Sequence, residues 1–170
     1  MKIKSLTHAR KKKSQRLLDE GCNLVYRGSI DEAYEKFDQS YKLDQSADAL
    51  TYKGWMLNIK GDPEGALKLC HQAIKLDPEF GNPYNDIGTI LVAQKNFNDA
   101  IPWFKKAIKA KRYEPRHFPH INLAKIYIEM GESDLALAEY KEALKFDNDN
   151  PYLHINIKNL EQEIKSRTLH

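Results

Sequence analysis

Four columns of residues recur along the chain at nearly one period, and this recurrence limits the fold more than any other feature. Gly21, Gly54, Gly88 and Ala124 follow one another at intervals of 33, 34 and 36 residues. Ala33, Ala66, Ala100 and Ala136 repeat the same intervals. So do Phe37, Cys70, Phe104 and Tyr140, and then Ser40, Ala73, Ala107 and Ala143. One copy of such a unit cannot bury its own apolar face, so the copies must stack and share a core.

Each copy reads as two helices. Before the middle break "NDIGTILVAQ" is amphipathic, and after it "NDAIPWFKKAIKA" carries apolar residues three and four apart. No useful length alternates with period two, so strands are not expected. The break holds Gly28, Gly61, Lys95 and Gly131, and just beyond it Asp62-Pro63 and Ser133-Asp134 are expected to supply an N-cap and a first-turn proline or acid. The small columns mark the places where paired helices approach most closely. A large side chain there would overpack the contact, at a cost of ~1–3 kcal/mol.

Composition excludes several classes. The chain has 170 residues, 41% hydrophobic and 30% charged, which suits a folded domain or a short repeat array and not a disordered chain. No apolar run approaches the ~20 residues of a membrane helix, and the first residues lack the apolar core of a secretory signal, so a cytoplasmic location is expected. Cys22 and Cys70 stand far apart without metal-type spacing and are expected as free thiols. The net charge of +3 is uneven: residues 1–16 carry seven Lys or Arg and no acid, which leaves +3 − 7 = −4 for the rest. An acidic body is a poor general polyanion binder, and the basic tip reads as a solvated tail leading into the first helix.

One stretch breaks the rhythm. "KAKRYEPRHFPH", Lys109 to His120, gathers four cations, two histidines, two aromatics and two prolines. From the last apolar residue of one copy to the eighth place of the next, Leu43 to Gly54 is 11, Leu76 to Gly88 is 12, Ala110 to Ala124 is 14 and Phe146 to Lys158 is 12. The stretch is therefore an inter-repeat turn about two residues longer than its counterparts, with Pro119 able to start the next helix. His117 and His120, even with His154, lack the Cys or carboxylate partners of a metal site, and no metal or cofactor is expected. Cations and aromatics would suit a nucleic-acid contact, but only one such turn exists and the body is acidic.

A helix–turn–helix of this period with Gly/Ala, Ala, aromatic and Ala columns and a closing "KLDP" resembles the tetratricopeptide repeat. The copy "ADALTYKGWMLNIKGDPEGALKLCHQAIKLDPEF" carries the resemblance best, and the likeness spans about residues 14–150. It implies an all-α fold, a right-handed superhelical α-solenoid of stacked antiparallel helix pairs. The implied organisation is a basic tail at 1–13, repeats at 14–46, 47–80, 81–116 (two residues longer) and 117–150, and a capping helix and tail at 151–170. Ile157, Leu160 and Ile164 would form the seam of that cap, while Lys158, Glu161, Glu163 and Lys165 face water.

The resemblance also implies a non-enzymatic binding module whose first helices line a concave groove for a partner peptide or helix. The groove residues would be Tyr52, Trp55, Asn85, Asp86, Thr89, Phe118, Asn122, Lys125, Asn156 and Asn159, with Leu18, Cys22, Thr51 and Asn82 around them. The asparagine amides offer both donors and acceptors to a peptide backbone, and Tyr52, Trp55 and Phe118 are anchor types. Family members that clamp the acidic C-terminus of heat-shock chaperones present cations at set places. Here those places hold Leu18, Cys22, Tyr52, Asn82 and Asp86, or Thr51, Trp55, Asp86, Phe118 and Asn122, so a carboxylate clamp is not expected. No glycine-rich phosphate loop, nucleophile elbow or paired-His helix is present, so no enzyme is expected. Two alternatives stand beside the adaptor reading. "EPRHFPHINLAKIYIEMGE" resembles the tetratricopeptide chaperones of type III secretion, and the basic N-terminus could serve a nucleic acid or an anionic surface, although nucleic acid is not the expected partner. Self-association through an exposed helix face is compatible with such an array.

Overall fold

The computed structural model describes residues 2–168, with side chains from Thr7 to Arg167; Met1, Leu169 and His170, the outermost residues of the expected tail and cap, lie outside the described residues. The described residues form helices joined by short turns, in two compact units, Met1–Pro78 and Glu79–His170. The first unit holds α1 (Lys2–Tyr26), α2 (Ile30–Leu43), α3 (Ala47–Ile59) and α4 (Pro63–Leu76). The second holds α5 (Asn82–Ala93), α6 (Phe97–Lys109), α7 (His117–Glu129), α8 (Ser133–Leu144) and α9 (Pro151–Thr168).

The repeating columns meet one another inside each pair. A Cβ built on Gly21 would run into the Phe37 ring, and one on Gly88 would lie 2.7 Å from the Phe104 ring. The small residue of the first helix therefore makes room for the aromatic of the second. In the α3–α4 pair Cys70 takes the aromatic's place, and a Cβ on Gly54 has looser surroundings: Ala66 O at 3.2 Å and Cys70 Sγ at 3.5 Å. At the other end of the α1–α2 crossing, the Ser14 and Ser40 hydroxyls bond each other at 2.8 Å. Residue 14 meeting 40 while 21 meets 37 makes the pair antiparallel.

One turn is used four times. Gly28, Gly61 and Gly131 take positive φ, and Lys95 takes the same left-handed conformation at φ 61°. In each case the next residue donates back to the helix, as in Asp62 N to Leu57 O and Asn96 N to Leu91 O, both 2.9 Å. This bond satisfies a carbonyl that the helix end leaves open. Asp62 caps α4 through Gly65 N at 2.8 Å, with Pro63 in the first turn. Ser133, expected as a cap, is instead the first residue of α8, and its hydroxyl donates to Glu163 of α9 at 3.0 Å.

The first unit packs around Leu18, Ala33, Phe37, Ala49 and Met56. Lys53 ties α3 to α2: its ammonium meets Asp38 at 2.5 Å between the Tyr34 and Tyr41 rings. The second unit packs around Phe104, Leu123, Ile126, Tyr140, Leu153 and Leu160. In α9, Leu160 is buried and Ile157 and Ile164 half-buried, while Lys158, Glu161, Glu163 and Lys165 are exposed.

Two boundaries differ from expectation. Residues 2–13 continue α1 rather than forming a separate tail. With no Pro or Gly among them the helix runs on unbroken, and residues 7–13 are all exposed. Helix α7 begins at His117, two residues before Pro119, whose missing N–H would have no helical partner in the first turn in any case.

Candidate functional site

The long turn before α7 is built from the inside. Arg112 N donates to Glu79 O and Gly81 N donates to Arg112 O, both at 2.9 Å, so the turn lies along the segment that leads into α5. Tyr113 then fills the space that Gly81 leaves by having no side chain, and is buried with Ala107, Ala110 and Tyr84. The cations of this stretch have local work. Arg112 lies over the Phe80 ring at 3.8 Å, Lys111 reaches Glu79 at 3.4 Å, and Arg116 donates to the carbonyls of Ala110 (3.4 Å) and Lys111 (3.1 Å). The histidines go to separate partners: His120 to Glu139 at 2.7 Å, His117 to Asp147 at 3.9 Å and His154 to Asn148 O at 2.7 Å. No cluster of three or more His, Cys, Asp or Glu fit for a metal occurs among the described residues.

The expected groove residues divide between the two units. In the first, Tyr52 stacks on Phe37 with ring centres 5.0 Å apart and touches Trp55 at 6.5 Å. Burial and the neighbouring Cys22, its hydrogen-bond partner, push the Tyr52 hydroxyl up to about 12. Trp55 remains 39% exposed. Leu18 and Thr51 are buried instead of groove-facing, and the Thr51 hydroxyl bonds Ala47 O of its own helix.

The second unit brings the polar members together. Asn122 of α7 donates from Nδ2 to Asn85 Oδ1 of α5 at 3.1 Å. Asn85 in turn hydrogen-bonds the half-buried Asp86. Burial raises the Asp86 carboxyl to about 7, with the Asn85 bond acting in the opposite direction. Tyr113 lies close enough for the Asp86 charge to raise its own hydroxyl further, beyond what burial does. Phe118, one turn before Asn122, is 48% exposed. Lys125 holds its ammonium 5.6 Å from the centre of the Tyr152 ring of α9. Thr89 and Asn156 turn back on their own helices, to Asn85 O at 3.0 Å and Tyr152 O at 2.7 Å, and Asn159 is exposed. The four asparagines thus do not form one row of free amides.

Sequence reasoning missed Tyr152 and Ile155, both exposed on α9. The signal was present, since they stand one repeat beyond Phe118 and Ile121. The burial of Tyr113 had no comparable signal, because it depends on the extra residues of one turn lying against Gly81.

Stacked antiparallel helix pairs with a polar-aromatic face on their first helices define a helix-pair repeat protein. A tetratricopeptide repeat model matches residues 18–79 and a TPR repeat model residues 124–157, together more than half of the chain. The chain belongs to the tetratricopeptide repeat proteins. A model described as the Est1 DNA/RNA binding domain also matches residues 66–115. Among curated relatives, mouse BBSome complex member BBS4 is 28% identical over 133 residues, covering 76% of this chain and 25% of the relative. Human tetratricopeptide repeat protein 6 is 29% identical over 77 residues, 45% of this chain and 15% of its own. The chain therefore spans a quarter or less of these relatives. Among solved structures, one titled for the functional characterization of Pseudomonas aeruginosa pilF superposes with a TM-score of 0.83 at 19% identity, covering 93% of this chain and 72% of that one. A MamA structure gives 0.65 at 19% identity over 89% and 82%. These likenesses show the fold, an α-solenoid of helix pairs.

Proposed function

We propose that this chain is a non-enzymatic protein-interaction module, an adaptor or assembly factor, which holds a partner peptide or helix on the groove-facing surface of its first helices. The observation that carries this reading is the Asn122–Asn85 bond across α7 and α5, with Phe118 exposed beside it. The bond orients two amides whose remaining donors and acceptors suit a peptide backbone, next to an aromatic that can anchor an apolar side chain. Trp55 offers a second anchor in the first unit. A cytoplasmic location is part of the proposal and agrees with Cys22 and Cys70 being thiols rather than disulfide-bonded.

The nucleic-acid alternative has less to rest on. The segment matched by the Est1 model contains Lys111 and Arg112, which are engaged with Glu79 and Phe80. The exposed cations of α1 lie outside that segment. No specific observation favours a secretion chaperone over other groove binders.

A pull-down from native lysate tests the proposal by comparing wild type with Trp55→Ala/Asn122→Ala, with helicity checked by circular dichroism. The expected outcome is a partner captured by wild type and lost by the folded variant, with little dependence on salt. Retention by both proteins would remove the groove from consideration, and capture that weakens steeply with salt would point to the basic α1.

A further inference from the structure

The exposed part of α1 carries shape as well as charge. Ala9, Lys12, Lys13, Arg16, Leu17 and Glu20 recur three and four apart and line a trough of about 530 Å³ along one side of the helix. We propose that this trough docks an acidic amphipathic helix of a protein partner, which lays its apolar stripe on the floor and its carboxylates against the rim. It is a second surface, made of residues that the groove reading above does not use.

The trough lies apart from the stripe that holds α1 to the fold. Ser14 and Gly21 meet Ser40 and Phe37 of α2, and Leu18 joins the core of the first unit. Ala9, Lys12, Lys13 and Arg16 are exposed instead, and Leu17, 8% exposed, lies at the bottom between them. Lysine and arginine stems are apolar up to their charged heads, so the rim extends the floor that Ala9 and Leu17 begin. From Ala9 to Leu17 the trough runs ~12 Å along the axis, about two helical turns. A helix lying there meets it with apolar residues three or four apart.

The charge of the rim is unmet. Within a helix an ion pair joins residues three or four apart. Those places hold His8, Ala9, Gln15 and Arg16 for Lys12, and Ala9, Arg10, Arg16 and Leu17 for Lys13. None is an acid, and two are cations. Other cations of the first unit are served: Arg16 and Lys36 share Glu20 at 3.0 and 2.8 Å, Lys42 and Lys53 share Asp38, and Lys60 meets Asp31 at 2.6 Å. Glu20, the one acid on the trough, is thus already engaged by two cations. Carboxylates from a partner would relieve the repulsion along the rim and gain charge-assisted hydrogen bonds. A nucleic acid or an anionic lipid surface would draw as much on Arg10 and Lys11, which lie outside the trough, and neither lays an apolar stripe along its floor.

The test pans a phage-displayed library of random peptides against the full chain and against two variants of equal charge, Lys12→Gln/Lys13→Gln on the trough and Arg10→Gln/Lys11→Gln beside it. All four side chains are exposed, so the fold should persist, which circular dichroism verifies. The expected wild-type consensus places Asp or Glu beside apolar residues three or four apart, and it is absent from the Lys12→Gln/Lys13→Gln pool. A peptide of this consensus, resynthesised, should bind Lys12→Gln/Lys13→Gln about fivefold or more weakly and Arg10→Gln/Lys11→Gln nearly as well as wild type. It should bind Trp55→Ala/Asn122→Ala unchanged, which separates this surface from the groove. Equal losses with the two charge variants, or a wild-type consensus without acids or without helical spacing, overturn the trough and leave the groove reading standing. A short DNA duplex or a phosphatidylserine vesicle that binds wild type more tightly than the peptide overturns it too, and gives the basic helix to that polyanion.

Discussion

At the scale of single residues, the facing columns predict unequal tolerance to one added methyl group. Gly88→Ala would drive its Cβ to 2.7 Å from the Phe104 ring, whereas Gly54→Ala meets its nearest atoms at 3.2 and 3.5 Å. Urea denaturation should therefore show Gly88→Ala destabilised by ~1–3 kcal/mol. Gly54→Ala should lose far less, because alanine's better helix propensity, about 1 kcal/mol, offsets the tighter contact. Asp86 gives a pH-dependent counterpart. Its folded pKa of about 7 lies above the unfolded value of about 4, so between those values the native state binds a proton that the unfolded chain releases. Stability from this group is present below about pH 4 and is lost as pH rises through about 7. Denaturation midpoints of wild type and Asp86→Asn should accordingly diverge over this window, with wild type falling behind. Burial and the Asn85 bond act on Asp86, and the Asn85 amide does not change charge there. Parallel midpoints from pH 4 to pH 8 would show that the carboxyl is not withdrawn from water.

At the scale of elements, the turn inside each pair is repeated so closely that its one irregular member becomes testable. Lys95 holds a left-handed conformation that its counterparts assign to glycine. An L-residue in that region costs roughly 1–2 kcal/mol, of which glycine's larger unfolded-state entropy returns part. Lys95→Gly should thus stabilise the second unit by roughly 0.5–1 kcal/mol, measured by urea denaturation. The helices and turns were legible in the sequence because each depends on residues within a few positions: a glycine after the last helical turn, Asp62 before Pro63, apolar residues three and four apart. The long turn was legible only as an insertion. Its contents were not, because Tyr113 and Arg112 are fixed by Glu79, Phe80 and Gly81, some thirty residues earlier. The groove surface was legible as a set of positions but not as a network. Nothing local says that Asn122 will choose Asn85, or that Thr89, Asn156 and Thr51 will bond their own helices.

At the scale of the whole molecule, charge and stability are carried by different parts of the chain. Residues 1–13 contribute six cations, so removing them changes the net charge from +3 to +3 − 6 = −3. Residues 7–13 are exposed, and the contacts between Ser14 and Ser40 follow them. A chain lacking residues 1–13 should melt at the same temperature as the full chain in differential scanning calorimetry, yet pass through a cation-exchange column that retains its parent at neutral pH. A large drop in melting temperature would show that the projecting part of α1 supports the fold. The two thiols of the first unit have a further use. Cys70 fills, without an aromatic, the place opposite Gly54 and is fully buried, whereas Cys22 is half-exposed. The first unit therefore carries its own clock: a thiol reagent reacts with Cys22 of α1 from the closed form and with Cys70 of α4 only when α3 and α4 part. The ratio of the two labelling rates reads out how often that pair breathes, with no probe added to the chain.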